Sequence, residues 1–369
     1  MKKIFKIVIL TAVLLSLFFC RASALESNVD SYKDEFGFDE AFYCITDETR
    51  ALLQSVGLDE VSFDSVYDVS LKNIVNTVIN IGSECIYEPL RFLAAASAIA
   101  AVVSVFSSFL SFRETAGYIG GCALALVCAV PAAECVSKTL SVLKCLADFS
   151  AAFAGAYCAV ISACGNVNNA VGFSSSAVMV NTVLSQLSTG ITGSVLNILC
   201  ASAFLSCCDI FSFALNISML VKKVSIGFLG FAGTVFAGIL SLKDVLADSA
   251  DSLASRGVRF LVGKSVPVVG GVVSESFSAF RESIVLIKNT AGVFGIAAMA
   301  LTVLPSLVSL GAWSFAFLAA GTVCESFGCG NMSGVMRILR DTVIIAIAVI
   351  AFSTLIFTVC VGVTLKGGG

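Results

Sequence analysis

The sequence predicts an all-α protein that crosses a lipid membrane several times. Of its 369 residues, 58% are hydrophobic and only 13% are charged, whereas about a quarter of the residues of a soluble domain are charged. Long uncharged runs recur along the chain, and a helix of about 20 apolar residues crosses a bilayer. Because a helix satisfies its own backbone N–H and C=O groups in lipid, we predict a polytopic bundle of transmembrane helices rather than a barrel.

The first 24 residues have the three parts of a signal peptide. Three lysines lie among the first six residues, residues 7–20 are apolar, and Ala22 and Ala24 place small side chains at a cleavage site. We predict that 1–24 is a cleavable signal peptide cut after Ala24. An uncleaved anchor is the alternative, because Arg21 directly follows the apolar run.

Residues 25–90 form an acidic segment that we expect on the extracytoplasmic side. Residues 25–70 contain twelve Asp and Glu residues but only two basic residues, Lys33 and Arg50. Scattered aromatic and leucine side chains favour short helices. From residue 71, apolar side chains recur at i, i+3, i+4, i+7 and i+8, which predicts an amphipathic helix on the membrane surface or against a partner. The acidity either attracts a basic partner or is a simple solvated surface.

We assign residues 91–242 to a first transmembrane bundle. A tight hairpin is expected at Arg113, and four charged residues within 134–148 predict an interfacial amphipathic piece. Lys222 and Lys223 end a span and favour the cytoplasmic side. The predicted spans are 92–112, 115–133, 149–164, 174–190, 194–220 and 224–241.

The C-terminal half is expected to contain fewer spans. Residues 243–288 are polar enough for amphipathic, interfacial helices, broken at Pro267 and at Gly270-Gly271. Residues 289–369 hold the remaining transmembrane helices, with a loop from Glu325 to Asp341 before the last one. The apolar runs are 289–311, 312–324 and 342–364. Since 312–324 is too short to cross a bilayer alone, the predicted total is seven or eight spans.

Composition removes several kinds of catalytic site. The chain has no histidine, which excludes His-based acid–base catalysis, Ser–His and Cys–His nucleophile pairs and most zinc sites. Most of the 15 cysteines lie in apolar runs and no C-x-x-C pair occurs, so they are expected to act as small hydrophobic side chains. We therefore predict no catalytic residue, no metal site and no cofactor.

The stretch RGVRFLVGKSVPVVGG, residues 256–271, contains the Gly263-Lys264-Ser265 ending of a phosphate-binding P-loop. Its upstream glycine, Gly257, is misplaced, because five residues rather than four separate it from Gly263. Pro267 also removes a backbone donor. We do not expect nucleotide binding here.

Asp209 is a candidate intramembrane polar residue. No residue from Phe149 to Cys208 is charged, and an ionisable group at membrane depth could line a water path, bind a cation or pair with a partner helix. The alternative is that the span is shifted and Asp209 lies near a bilayer face. Asn197 belongs to a set of uncharged amides that we expect to hydrogen-bond between helices.

A row of small side chains marks the span 224–241. Gly227, Gly230, Gly233 and Ala237 lie near one face of that helix. Small side chains let helices approach each other closely in lipid. This face therefore predicts helix packing, either within the chain or with another subunit.

The order of these features resembles the stage III sporulation protein AE family of endospore-forming bacteria. Three stretches carry the resemblance, YEPLRFLAAASAIAAVV, KKVSIGFLGFAGTVFAGILSLKD and VGKSVPVVGGVVSESFSAFRESIVLIKNTAGVFGI. The most specific pieces are Val266 to Gly270 and the later Leu286 to Asn289. Gly271 departs from the family pattern, in which a basic residue often follows the first glycine.

The family-like segment includes or adjoins five residues that we single out: Lys264, Pro267, Gly270, Arg281 and Lys288. One interpretation is a docking face for partner subunits or a re-entrant gate. The other is that the basic residues hold an amphipathic helix at the lipid headgroups.

The resemblance implies a non-enzymatic membrane subunit of the secretion-like channel complex that links mother cell and forespore. Such a subunit is needed for forespore development after engulfment. It would lie in the mother-cell membrane around the forespore, with its N-terminal segment in the intermembrane space. Its implied partners are the other stage III A-series sporulation proteins and, indirectly, stage II sporulation protein Q. Neither a nucleic acid nor a nucleotide is an expected partner.

Two other classes of function stay open from the residues alone. A secondary transporter or ion/solute permease would be built from inverted repeats with broken spans, and 243–288 is such a broken segment, although no convincing repeat is visible. An intramembrane enzyme would need a convergent acid pair or a Ser–Lys dyad, and the predicted spans contain few acids.

Overall fold

The structure is a computed structural model that describes about two thirds of the chain. The described residues are Phe38, Tyr43, 47–56, 79–83, 85–108, 113–163, 167–206, 216–236, 238, 239, 242 and 270–366, with only the backbone described over 270–287. The predicted signal peptide, with Ala22 and Ala24, lies outside these residues.

Every regular element among the described residues is a helix. They are α1 (Asp47–Val56), α2 (Tyr87–Ser107), α3 (Arg113–Ala163), α4 (Val167–Gln186), α5 (Thr192–Leu205), α6 (Asn216–Phe236), α7 (Gly270–Ser326) and α8 (Gly330–Lys366). A π-helical turn, Leu187–Ile191, joins α4 to α5 without interrupting the helical backbone. The all-α architecture is therefore as predicted.

Five of the described helical segments are long and apolar enough to cross a membrane: Ile79–Ser107, Gly117–Ala163, Asn216–Phe236, Lys288–Ser326 and Gly330–Leu365. Thr192–Leu205 is a shorter apolar helix. The predicted total of seven or eight spans stays a prediction, because 207–215 and most of 237–269 lie outside the described residues.

The antiparallel pair α7 and α8 forms the buried centre of the bundle. Their candidate spans are the most buried of the five, whereas those of α2 and α6 are the least buried. Gly328, between α7 and α8, has φ 75°, a left-handed conformation that glycine adopts without a steric penalty. The N–H of Cys329 donates a hydrogen bond to the carbonyl oxygen of Cys324 at 2.9 Å. The N–H of Gly328 donates one to the carbonyl oxygen of Glu325 at 3.0 Å. These two bonds end α7 in a Schellman motif and reverse the chain.

This reversal corrects the predicted C-terminal organisation. The apolar runs 289–311 and 312–324 belong to one helix, α7, so the chain does not turn between them. The expected loop from Glu325 to Asp341 is reduced to residues 327–329, and Asp341 lies well inside α8. The reason is that most of 330–341 is buried, with Met332, Val335, Met336 and Leu339 recurring at helical spacing, and a helix that packs on α7 buries them.

The segment 134–148 is also not a separate interfacial piece, because it is the middle of α3. Cys135, Thr139, Leu143 and Leu146 recur at helical spacing and are buried in the bundle. The four charged side chains of the segment lie on the opposite, exposed face. One amphipathic stripe therefore continues through what the charges alone suggested was an interruption.

Several of the breaks between helices predicted within 164–223 are also helical in the structure. The polar stretch after Ala163 is mostly helical, since α4 begins at Val167. The runs 174–190 and 194–205 join through the π-helical turn, and Lys222 and Lys223 lie inside α6 rather than at the end of a span. Polar side chains such as Ser176 and Thr182 bond to the carbonyl four residues earlier, so they are tolerated inside helices.

Side-chain contacts give the direction of each helix. An ion pair joins Lys222 to Asp341, and a Cβ at Gly233 would lie 3.2 Å from Phe352. Eleven residues separate the two contact points on each helix, so α6 runs parallel to α8. We call the end of the bundle with residues 327–329 the turn end.

The opposite end of the bundle, which we call the Lys288 end, is where α7 meets the C-terminus of α8. Here Lys288 bonds to Thr364, and Gly292 faces Tyr157 of α3. Helix α2 runs parallel to α7, because Phe92 packs on Trp313 while Ala100 meets Cys329 nearer the turn end. The N-terminus of α2 therefore points to the Lys288 end.

A cluster of aromatic rings holds α3 to its neighbours near the Lys288 end. Phe149, Phe153 and Tyr157 stack along one face of α3 with centroid separations of 5.7 and 5.3 Å. Phe357 of α8 packs against the Phe149 and Phe153 rings. Phe38, from the acidic segment, lies on Phe153 with centroids 5.9 Å apart. Part of the N-terminal segment thus packs on this end of the bundle.

Close approach of α7 to the aromatic cluster depends on Gly295. A Cβ there would overlap the Phe153 ring, which is 1% exposed and held by neighbouring rings. We predict that Gly295→Ala destabilises the chain by roughly 1–3 kcal/mol, because an added methyl forces the packed ring to move. Thermal unfolding of the purified chain in detergent micelles measures this.

Gly311 on the same helix is the matched control, since a Cβ there would have nothing within 4 Å. Gly311→Ala should leave stability unchanged or raise it by about 0.5–1 kcal/mol through better helix propensity. Equal unfolding temperatures for the two variants would contradict the close approach at Gly295.

Candidate functional site

The uncharged part of α8 is long enough to cross a bilayer. Residues 342–365 contain no charged side chain, with Asp341 before them and Lys366 after them. At about 1.5 Å per residue this stretch is about 36 Å long, close to the roughly 30 Å thickness of a hydrocarbon core. A polar contact lies at each end of this stretch.

At the turn end, Lys222 of α6 pairs with Asp341 of α8. The Lys222 Nζ to Asp341 Oδ1 distance is 2.6 Å, and the two side chains are 26% and 7% exposed. A carboxylate this buried is costly unless a cation compensates it. The pair therefore fixes α6, the least buried long helix, at a defined height beside α8.

At the Lys288 end, Lys288 of α7 reaches the last turn of α8. Its ammonium donates a hydrogen bond of 3.0 Å to the carbonyl oxygen of Thr364, and the residue is 1% exposed. The last four carbonyls of a helix have no partner within the helix and carry a partial negative charge, so a lysine is favourable there. The Thr364 hydroxyl lies 3.5 Å from that of Tyr157, which links α3 to the same point.

A third polar contact joins α7 and α8 beside the turn. Glu325 accepts hydrogen bonds from Ser333, at 2.8 Å, and from Arg337. The Glu325 and Arg337 side chains are 49% and 52% exposed, so water screens this pair. It bridges the hairpin at the surface and differs in that respect from the buried contacts of Asp341 and Lys288.

Several residues predicted as site candidates lie outside the described part of the chain: Asp209, Ala237, Lys264 and Pro267. Their predicted roles stay predictions. Gly270 is the first residue of α7, and Arg281 lies in the same helix with only its backbone described. Asn197 lies on an exposed face of α5.

Lys288 is buried, and this differs from the exposed position expected for a partner-docking face or for contact with lipid headgroups. It is enclosed between α7 and α8, whereas docking a partner or reaching the headgroups would need an exposed ammonium group. The physical reason is that the exposed C-terminal carbonyls of α8 lie next to it and accept its hydrogen bond. Its observed contact is with another helix of this chain, and the predicted roles of the family-like segment stay predictions.

Among the described residues, only part of the small-residue face of α6 meets another helix. Gly233 faces Phe352 of α8, but a Cβ at Gly227 or Gly230 would have nothing within 4 Å. Packing of Gly227 and Gly230 on another subunit stays a prediction.

Sequence reasoning missed the ion pair of Lys222 with Asp341. A signal was present, because each residue directly or nearly precedes a long uncharged run, and two helices that begin at the same border bring such residues to one height. Nothing comparable in the sequence indicated the contact between Tyr157 and Thr364. Among the residues that the structure describes, no group of three His, Cys, Asp or Glu side chains could hold a metal ion.

The buried ion pair makes a prediction for stability. Asp341→Asn should destabilise the chain by about 1–3 kcal/mol, because it leaves a largely enclosed ammonium without its counter-charge. A double-mutant cycle with Lys222→Gln, followed by thermal unfolding in micelles, measures the coupling. Glu325→Gln, in the exposed pair, should cost less. A coupling of zero between Lys222 and Asp341 would show that the pair does not form.

The contact of Lys288 with Thr364 makes a second prediction for stability. Lys288→Met keeps the aliphatic volume but removes the donor to Thr364, so we expect a loss of roughly 1–3 kcal/mol. Lys223→Met is the control, because Lys223 is exposed on α6 and its change should have little effect on the unfolding temperature. If both variants unfold like the unaltered chain, the capping role of Lys288 is wrong.

Comparisons with known proteins show the family of the chain. The chain matches the family profile of stage III sporulation protein AE over residues 59–368. It is similar to the stage III sporulation protein AE of Bacillus subtilis (strain 168), with 23% identity over 153 residues. That match covers 42% of this chain and 38% of the relative's length. No solved structure is significantly similar to the chain. Since the profile covers most of the chain, from within the acidic segment through α8, the chain belongs to the stage III sporulation protein AE family.

Proposed function

We propose that this chain is a non-enzymatic membrane subunit of the channel complex that links mother cell and forespore. The observation that carries the proposal is the family match over 59–368, which includes all five candidate spans. In this proposal the chain acts after engulfment and supports forespore development. Its partners are the other stage III A-series proteins and, indirectly, stage II sporulation protein Q.

The architecture supports a role in assembly. Its strongest polar contacts, at Asp341 and Lys288, tie helices of the chain to each other. The exposed faces of α2 and α6 carry large apolar side chains, among them Val105, Phe228 and Phe231, as expected of surfaces that meet lipid or other membrane subunits.

The charge distribution supports an orientation in the mother-cell membrane. Five basic residues lie toward the turn end: Arg113 at the start of α3, Lys222 and Lys223 in the first half of α6, and Arg337 and Arg340 in the first third of α8. Short cytoplasmic connections are enriched in Lys and Arg. We therefore place the turn end in the cytoplasm, and the Lys288 end, where Phe38 and Leu53 of the acidic segment are buried, in the intermembrane space.

Deletion of the gene in a sporulating host tests the proposal. We expect normal engulfment followed by small or collapsing forespores, with rescue by the intact gene. We also expect an affinity-tagged chain to copurify with other stage III A-series proteins. The exposed-site variant Lys223→Met should rescue fully, whereas Asp341→Asn should rescue poorly. Normal spores after deletion in a host with no second copy would contradict the proposed function.

A further inference from the structure

The turn between α7 and α8 places two cysteines side by side. Cys324 lies in the last turn of α7 and is 0% exposed, whereas Cys329 follows the turn and is half-buried. Both are free thiols. The 2.9 Å hydrogen bond from the N–H of Cys329 to the carbonyl oxygen of Cys324 closes the Schellman motif. The two residues that this bond joins are the ones whose side chains frequently touch in such a motif.

The backbone brings the two Cα atoms within the range of a disulfide. Standard bond lengths put the Cα of Cys329 about 1.5 Å from its nitrogen, and the Cα of Cys324 about 2.4 Å from its carbonyl oxygen. With the hydrogen bond between them, these lengths limit the separation of the two Cα atoms to at most about 6.8 Å. That limit is reached only on a straight line, so the true separation is shorter. Disulfides occur at Cα separations of about 4.4–6.8 Å.

The thiol of Cys329 is the one that a reagent can reach. Phe327 beside it is exposed, and the nearby pair of Glu325 and Arg337 is about half exposed. Burial raises the pKa of Cys329, so little of it is thiolate and its reactions are slow. The placement of a second thiol, rather than an activated thiolate, therefore distinguishes Cys329 from the other cysteines. Cys324 is enclosed and can react only with its neighbour.

We propose that Cys324 and Cys329 form a reversible disulfide across the turn between α7 and α8, with a low-molecular-weight disulfide as the oxidant. The Cys329 thiolate attacks one sulfur of the oxidant, forms a mixed disulfide and releases one thiolate. The Cys324 thiolate then attacks the Sγ of Cys329 and releases the second. The two protein thiols lose two electrons and two protons, and the oxidant is reduced to two thiols. This inference goes beyond the proposed function and does not depend on it.

The bond changes a contact of α2 as well as the turn. The thiol of Cys329 donates a hydrogen bond of 3.8 Å to the carbonyl oxygen of Ala100 on α2. The disulfide removes this S–H donor and draws the sulfur toward Cys324. In the orientation proposed above, the turn lies in the cytoplasm, where thiol buffers keep cysteines reduced. The bond therefore forms under oxidising conditions and reverses afterwards.

Oxidation of the purified full chain in detergent micelles by oxidised glutathione tests the proposal. After the free thiols are blocked, a glutamyl endopeptidase cuts after Glu325, which turns the bond into a link between two peptides that mass spectrometry identifies. We expect the peptides of Cys324 and Cys329 to be linked, and the link to disappear with dithiothreitol. A glutathione adduct that stays on Cys329 overturns the proposal. So do two free thiols at a stage when Cys122, which is exposed on α3, is already modified.

Two controls identify the role of each thiol. In Cys324→Ser the mixed disulfide has no partner thiol, so the glutathione adduct should persist on Cys329; loss of the adduct in this variant would overturn the proposed order of steps. Cys128 and Cys135 form a native control pair on one face of α3. Seven helical residues place their Cα atoms about 10.5 Å apart, beyond the reach of a disulfide. Equal linkage of both pairs would overturn selection by the turn.

A pair of substitutions at Gly328 tests whether the turn itself holds the thiols together. Gly328 has φ 75°. Gly328→Asn keeps a residue that tolerates this left-handed conformation, whereas Gly328→Val introduces a β-branched residue that does not. At a fixed ratio of oxidised to reduced glutathione, the ratio of disulfide to dithiol should stay nearly unchanged in the Asn variant and fall roughly tenfold in the Val variant. Equal ratios in the two variants overturn the proposal.

Discussion

Hydrocarbon cannot hydrogen-bond, and the rest of the structure depends on this property of the bilayer. Each backbone group must be satisfied within a helix, and each buried charge must find a partner in the chain. The last helix shows both requirements. Its uncharged stretch is about as long as a bilayer is thick. At one end Asp341 forms an ion pair with Lys222, and at the other end the carbonyl oxygen of Thr364 accepts a hydrogen bond from the ammonium of Lys288. These contacts set the heights of α6 and α7 against α8.

Between these two contacts, apolar packing decides how closely the helices approach. Glycine on α7 meets aromatic rings on α3, with Gly295 against Phe153 and Gly292 against Tyr157. In lipid, burial of apolar surface does not by itself drive helices together, so close van der Waals contact becomes the main attraction. A flat ring facing a bare backbone gives such contact over a large area, which accounts for the location of the aromatic cluster where three helices meet.

Composition and the length of apolar runs were sufficient to predict the fold class, because they report directly on the cost of placing residues in lipid. The breaks between helices were harder to predict. Four charged residues in 134–148 suggested an interface, yet α3 continues because its buried stripe is uninterrupted. Lys288 was expected at a surface, since nothing in the sequence places the end of α8 beside it. Contacts between residues far apart in the chain, such as Tyr157 with Thr364, depend on relative helix heights that nothing in the sequence indicates.

The same rules that explain the core make the outside of α3 informative. On α2 and α6, exposed side chains such as Val105 and Phe231 are apolar, as lipid requires. At the height of α8's uncharged stretch, α3 instead exposes two acids and two bases. Among the described residues, the helices that pack on α3 lie on its other face. Exposed charged side chains need water or polar groups beside them, so this face of α3 has different surroundings from the apolar outside of α2 and α6.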